Sequence, residues 1–86
     1  MKLEKILRKY VGIKMFEQEQ ADFKEEFFRE LFDPDRPIDY TRRSPIFINA
    51  VLEEENLPYV ITILIDRETG SNTQGKKYWN VICFDD

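Results

Sequence analysis

The chain has 86 residues, a formal net charge of −4 at pH 7, no histidine and one cysteine. Without histidine the usual general base near neutral pH is missing, and one cysteine cannot form a disulfide within the chain. Hydrophobic residues make up 42% of the sequence and aromatic residues 14%, which is typical of a globular protein and not of a disordered one. We therefore expect a single compact domain over residues 1–86, with no catalytic residue, no metal site and no cofactor.

The apolar segments of the sequence are too short for a membrane span or an export signal. No run approaches the roughly 18–20 apolar residues that cross a bilayer. The N-terminal residues also lack the uninterrupted apolar run of about 7–15 residues that a secretory signal needs. The sequence therefore predicts a soluble, cytoplasmic protein with no membrane partner.

Two amphipathic helices are predicted in the N-terminal half of the chain. The first covers residues 2–11, where four apolar side chains recur at the spacing of one helix face. These side chains are Leu3, Ile6, Leu7 and Tyr10. The second helix covers residues 16–33, where Phe23 and Phe27 lie on a buried face and Pro34 prevents the helix from continuing.

A long loop and an ambiguous segment follow the second helix. Residues 33–45 contain three of the four prolines and show no periodicity, so they are predicted to form a loop. The apolar residues that come next surround a helical wheel instead of forming one stripe, which favours a strand over residues 46–53. The alternative is a helix that ends near Asn56, because Ser44 and Pro45 are a suitable pair for the N-cap and the first helical position.

Two strands are predicted in the C-terminal half. Residues 59–66 (YVITILID) are almost all β-branched or aromatic, and residues 77–85 (KYWNVICFD) are the next strongest strand. Between them, residues 67–76 contain Gly70, Ser71, Asn72 and Gly75 and are expected to form a long, mobile hairpin loop. Two helices packed on a small antiparallel sheet of two or three strands give an α+β fold.

Both faces of the predicted sheet are substantially apolar, because most residues on each side of the two strands are apolar. We expect a helix or the long loop to cover each face. The alternative is that a partner or a second copy of the chain covers one of them.

Two motif matches carry little chemical information. Residues 70–76 match G-x-x-x-x-G-K, but Lys77 stands where a phosphate loop needs Ser or Thr, and a strand follows instead of a helix. Asp33, Asp35 and Asp39 have the spacing of three calcium ligands, but the glycine and the final glutamate of a calcium loop are missing. A hairpin turn and a helix end explain the two patterns more simply.

The second predicted helix carries five carboxylates in one stripe beside its buried face. This acidic stripe consists of Glu19, Asp22, Glu26, Glu30 and Asp33. Neighbouring like charges on a helix repel each other, so a stripe without partners destabilises the helix. In one interpretation, cations of the first helix or of the loop neutralise it, and the candidates are Lys5, Arg8, Lys9, Arg42 and Arg43. In the other interpretation, the stripe binds a basic partner.

The long loop contains a second candidate contact. Tyr40, Arg42 and Arg43 are close in sequence, and Tyr and Arg are frequent anchors of protein interfaces. These three residues complete the predicted partner-binding site, together with the acidic stripe.

Size and charge favour a small acidic protein-binding module that acts as an inhibitor and occludes a basic surface of a target protein. Antitoxins, immunity proteins and phage counter-defence proteins provide an analogy that rests on size and charge alone. One alternative is a self-associating structural domain that dimerises through an apolar sheet face. A weaker alternative is nucleic-acid binding by the basic first helix, which the acidic balance of the chain disfavours. The five cations concerned are Lys2, Lys5, Arg8, Lys9 and Lys14, to which Arg42 and Arg43 of the long loop could add.

Overall fold

The computed structural model describes residues 2–67 and 75–84 of the chain. Three helices precede a two-stranded antiparallel sheet, so the predicted α+β class is confirmed. In chain order the elements are α1 Lys2–Tyr10, α2 Glu17–Leu31, α3 Pro45–Glu54, β1 Tyr59–Asp66 and β2 Lys76–Cys83. Most of the predicted hairpin loop at 67–76 lies outside the described residues. No helix in the described ranges combines the length and the apolar character needed to cross a membrane.

The two N-terminal helices form where their apolar patterns predict them. The buried residues of α1 are Leu3, Leu7 and Tyr10. Gly12 has φ +82°, a left-handed conformation that suits glycine and lets the chain turn away after the helix. At the start of α2, the Phe16 N–H donates to Glu19 Oε1 at 2.9 Å. Glu19 thus fixes the first turn by reaching back to the backbone, as in a capping box.

The predicted strand at 46–53 is wrong, because these residues belong to α3. Ser44 caps this helix with its Oγ, which accepts from the Phe47 N–H at 3.3 Å, and Pro45 occupies the first turn. The buried residues are Ile48, Val51 and Leu52, which have the i, i+3, i+4 spacing of one helix face. Ile46 is 83% exposed. The segment has apolar residues on every side of the helical wheel, but only one side of the helix is buried.

The helix α3 ends in a Schellman motif at Asn56. The Asn56 N–H donates to the Glu53 carbonyl oxygen at 3.0 Å, and the Leu57 N–H donates to the Leu52 carbonyl oxygen at 2.9 Å. Asn56 has φ 57°, a left-handed conformation that Asn adopts more readily than most residues. The helix therefore ends close to the position expected in the alternative interpretation, and β1 follows at Tyr59.

The two strands pair in antiparallel register, with Ile61 opposite Val81 and Ile63 opposite Trp79. The outer edge of β2 is paired in part by the segment that follows α1. There, Met15 and Trp79 exchange two backbone hydrogen bonds of 2.9 Å. This contact ties the N-terminal helical layer to the sheet.

One side chain of α3 covers part of the outer edge of β1. The Asn49 amide oxygen accepts from the Ile61 N–H at 2.7 Å, and the Asn49 amide nitrogen donates to the Ile61 carbonyl oxygen at 3.0 Å. Both backbone groups of Ile61 are therefore satisfied by a helix side chain, which takes the place of a neighbouring strand.

The helices pack against one face of the sheet. The sheet residues in the hydrophobic core are Tyr59, Ile61 and Val81. These residues share one face, because strand side chains alternate and Ile61 is paired with Val81. On the opposite face Leu64 and Ile82 are exposed, and Phe16 packs on Tyr78. The expectation that a helix or the long loop covers each face is therefore wrong for the described residues.

Candidate protein-binding surface

The centre of the acidic stripe lies in the seam between α1 and α2. Glu26 accepts hydrogen bonds from the Lys9 ammonium and from the Tyr10 hydroxyl. The hydrogen bond from Lys9 is the main reason why the pKa of Glu26 is lowered, and the bond from Tyr10 adds to it. Burial and the bond to Glu26 raise the pKa of the Tyr10 hydroxyl. Glu26 is therefore an internal contact between the two helices.

Glu30 also faces α1, and Lys2 Nζ lies 3.7 Å from its carboxylate. Of the predicted α1 cations, Lys9 neutralises the stripe. Lys5 makes no ion pair among the described residues, and Arg8 is directed elsewhere. Internal pairing thus accounts for two of the five stripe carboxylates.

The basic face of the first helix, which underlies the nucleic-acid alternative, is largely occupied by ion pairs. Arg8 lies 3.4 Å from Glu4, and Lys14 lies 3.4 Å from Asp66. With the two lysines described above, four of the five cations named for nucleic-acid binding are paired within the chain. Nucleic-acid binding stays a prediction without structural support.

The two ends of the acidic stripe carry no ion pair in the described ranges. Glu19 holds the start of α2, and Asp22 accepts from Gln18 Nε2 at 3.1 Å. At the other end, Asp33 Oδ1 accepts from the Asp35 N–H at 2.9 Å. The structure therefore divides the stripe into a neutralised centre and two charged ends.

Arg42 and Arg43 lie over aromatic rings and not beside the stripe. The guanidinium carbon of Arg42 is 5.9 Å from the ring centre of Phe47, and that of Arg43 is 5.1 Å from the ring centre of Phe28. Arg43 Nε also donates to the Tyr40 carbonyl oxygen at 3.3 Å. These two arginines anchor the long loop to α2 and α3, so the structure does not bring them together with the acidic stripe.

An exposed phenylalanine packs on a partly buried tyrosine where α2 passes into the long loop. Phe32 is 61% exposed, although its ring centre lies 5.1 Å from that of Tyr40. The Tyr40 hydroxyl accepts from the Asp33 N–H at 3.1 Å and donates to the Asp33 carbonyl oxygen at 3.2 Å. With the neighbouring carboxylates this pair forms what we call the acidic aromatic patch, which consists of Phe32, Asp33, Asp35, Asp39 and Tyr40.

The three carboxylates of the acidic aromatic patch form no ion pair with any described residue. Asp39 accepts hydrogen bonds from the side chain and the backbone N–H of Thr41, and these bonds lower its pKa. Arg36 lies in the same loop but is paired with Glu55. The patch therefore combines one exposed aromatic ring with three carboxylates that have no ion pair among the described residues, and the charge of Arg42 also helps to lower the pKa of Asp39.

The calcium-like spacing of the loop aspartates reflects turn formation. Asp33 and Asp39 each accept from the backbone N–H two residues later, as Asp commonly does in turns. Within residues 2–67 and 75–84, no group of three His, Cys, Asp or Glu side chains is arranged to hold a metal ion.

Comparisons of the chain with protein-family models, with curated proteins and with solved structures found no match. The function must therefore be inferred from the surfaces of the molecule.

Sequence reasoning named Asp33 and Tyr40 as site residues but missed Phe32. The helix predicted over residues 16–33 includes Phe32, so the prediction assigns this residue to the helix and not to a loop. The Asp33–Pro34 pair is the signal that could have shown otherwise, because a residue before proline avoids helical geometry and α2 ends at Leu31.

Proposed function

We propose that this protein is a small acidic protein-binding module that occludes a basic surface of a target protein through the acidic aromatic patch. The observation that carries this proposal is the exposed Phe32 ring, which packs on the partly buried Tyr40 in a loop whose three aspartates have no ion pair with any described residue. Aromatic side chains are frequent anchors of protein interfaces. A partner that covers Phe32 also removes an unfavourable contact between its ring and water.

The backbone around the acidic aromatic patch is held in place by local hydrogen bonds. Tyr40 bonds both backbone groups of Asp33, and Asp39 closes a turn on Thr41. Arg43 holds the Tyr40 carbonyl oxygen. Contact groups that are already ordered lose less entropy on binding, which favours affinity. A lysine or arginine of the target can lie over the rings and bind a carboxylate at the same time.

Binding of this kind inhibits the target when the covered surface is a site that processes or binds nucleic acid. The proposal involves no catalysis, and the cytoplasmic location predicted from the sequence belongs to it. Attraction between the patch and a basic target accelerates association at low ionic strength, and added salt screens it.

Four variants test the proposal by affinity capture from a lysate of the source organism. Asp35→Lys and Glu54→Lys change the net charge equally at exposed positions, but only Asp35 belongs to the patch. Phe32→Ser and Ile46→Ser each remove one exposed apolar side chain, but only Phe32 belongs to the patch. We expect the captured target to be lost with the two patch variants and kept with the two controls.

The association rate of the purified target measures the electrostatic part of the proposal. We expect this rate to fall between low and physiological salt for the wild type, and to fall less for Asp35→Lys. Equal capture by all four variants, capture of no protein by the wild type, or a rate independent of salt would contradict the proposal.

A further inference from the structure

The outer edge of β1 lacks the residues that usually protect an edge strand. Seven consecutive residues, from Tyr59 to Ile65, contain no charge, proline or glycine. Edge strands of monomeric proteins commonly carry such residues, because an open edge otherwise pairs with another chain. At the end of this run Ile63 is 54% exposed, Leu64 is 42% exposed and Ile65 is 45% exposed.

The described part of the fold covers only the first half of this edge. Asn49 bonds both backbone groups of Ile61, which shows that this residue directs them away from β2. Backbone groups alternate in direction along an antiparallel strand, so those of Ile63 and Ile65 point to the same outer side. On this outer side, no described residue forms a backbone hydrogen bond with either isoleucine.

We propose that a second copy of this chain pairs with this edge as an antiparallel strand, so that two sheets join into one of four strands. Beyond Ile61, only Ile63 and Ile65 of β1 have outward backbone groups that no described residue bonds. Both are used when Ile63 lies opposite Ile65 of the second copy, and this sets the register. Each such pair exchanges two backbone hydrogen bonds. Leu64 then lies on the two-fold axis, opposite Leu64 of the second copy. The edge is therefore complementary to itself, as a symmetric dimer interface must be.

The side chains around this register favour a second copy as the occupant. The isoleucine pairs lie on one face of the joined sheet and the leucine pair lies on the other, so every central cross-strand contact is apolar. Asn49 ends the ladder on one side, because it already occupies the edge at Ile61. Asp66, which follows the apolar run, has its charge compensated by Lys14 at 3.4 Å.

The oligomeric state tests this inference directly. Sedimentation velocity over a concentration series should show the wild type moving from the mass of one chain, 10.4 kDa, towards twice that mass. Leu64→Lys places two like charges on the two-fold axis, so its dimer dissociation constant should rise at least about tenfold. The same holds for Leu64→Glu alone, whereas an equal mixture of the two variants should restore the dimer. Circular dichroism establishes that each variant is folded.

A disulfide tests the register. Residues opposite each other in a non-hydrogen-bonded pair have Cα atoms ~4.5 Å apart, which lies within the range of a disulfide. In a Cys83→Ser background, Leu64→Cys should therefore form a covalent dimer under mild oxidation. Ile82→Cys, an exposed position on β2, is the matched control and should not form one.

Three results would overturn the inference. They are a wild type that stays monomeric at all concentrations, a dimer that Leu64→Lys leaves intact, and a Leu64→Cys variant that cross-links no better than Ile82→Cys. None of these results bears on the proposed function, because the acidic aromatic patch lies in the loop between α2 and α3.

Discussion

At the level of single residues, the partner of each carboxylate decides whether it is structural or available for binding. Glu26 and Asp35 illustrate the difference. Glu26 receives two hydrogen bonds from α1, whereas the Asp35 side chain has no hydrogen bond or ion pair in the described structure. Sequence spacing places Glu26 on the acidic stripe, but it does not show which side of the stripe faces another helix. The position of α1 decides that.

Glu26→Gln tests the internal role of this carboxylate. Because the folded-state pKa of Glu26 is lowered, its contribution to stability is complete above the unfolded pKa of ~4.3 and is lost as the pH falls through the folded value. We expect the variant to lose about 1 kcal/mol of unfolding free energy at pH 7. The difference in unfolding free energy between the variant and the wild type should shrink towards zero as the pH falls below the folded-state pKa of Glu26. Urea unfolding over a series of pH values measures this difference. Glu25→Gln, whose ion pair with Arg29 is exposed, is the control with little expected effect.

At the level of elements, the capping residues at the two ends of α3 predicted its structure better than the distribution of its apolar residues did. The strand prediction relied on apolar residues around the whole wheel. The Ser44 cap, Pro45 at the first turn and the left-handed Asn56 together define a helix, and only its inner face is buried. The choice of helix also places Asn49 against Ile61, which a strand at the same residues would not do. The side chain of Asn49 in α3 therefore covers the outer edge of β1 at Ile61.

Replacing the cap residue distinguishes the helix from a strand. Ser44→Ala removes the hydrogen bond to the Phe47 N–H and should lower the unfolding free energy by about 1 kcal/mol. Ser44→Asp keeps an acceptor at the N-cap and should remain close to the wild type. Urea unfolding of both variants provides the comparison. Equal stability of the alanine and aspartate variants would argue against Ser44 as the N-cap of α3.

At the level of the whole molecule, two surfaces of different chemistry lie on different elements. The acidic aromatic patch belongs to the loop between α2 and α3, and the open strand edge belongs to β1. The patch suits a basic partner because its carboxylates have no ion pairs, and the edge suits a copy of itself because its register is self-complementary. The proposed dimer would therefore carry two copies of the acidic aromatic patch.

The two surfaces should respond independently to substitution. We expect Asp35→Lys to leave the dimer dissociation constant within about twofold of the wild type, since sites without shared partners behave additively. Leu64→Lys should likewise still capture the target of the patch. Sedimentation of the first variant and affinity capture with the second measure both effects. Loss of capture by folded Leu64→Lys would show that target binding requires the dimer.

The sequence by itself determined the elements whose signals are local. The spacing of Leu3, Leu7 and Tyr10 defines α1, and the run of β-branched residues defines β1 with the observed bounds. Pro34 limits α2 to within a few residues of its observed end. These features depend on contacts between residues that are near in the chain, so one sequence is sufficient to predict them.

Only the tertiary structure decided which surfaces are covered. The pairing of Glu26 with Lys9, the bond of Asn49 to Ile61 and the exposure of Phe32 depend on how elements distant in the chain pack together. Periodicity describes the faces of an element but not the neighbour that each face meets. The charged stripe, the most conspicuous pattern of the sequence, is for this reason partly internal, whereas the candidate binding surface lies in a loop without periodicity.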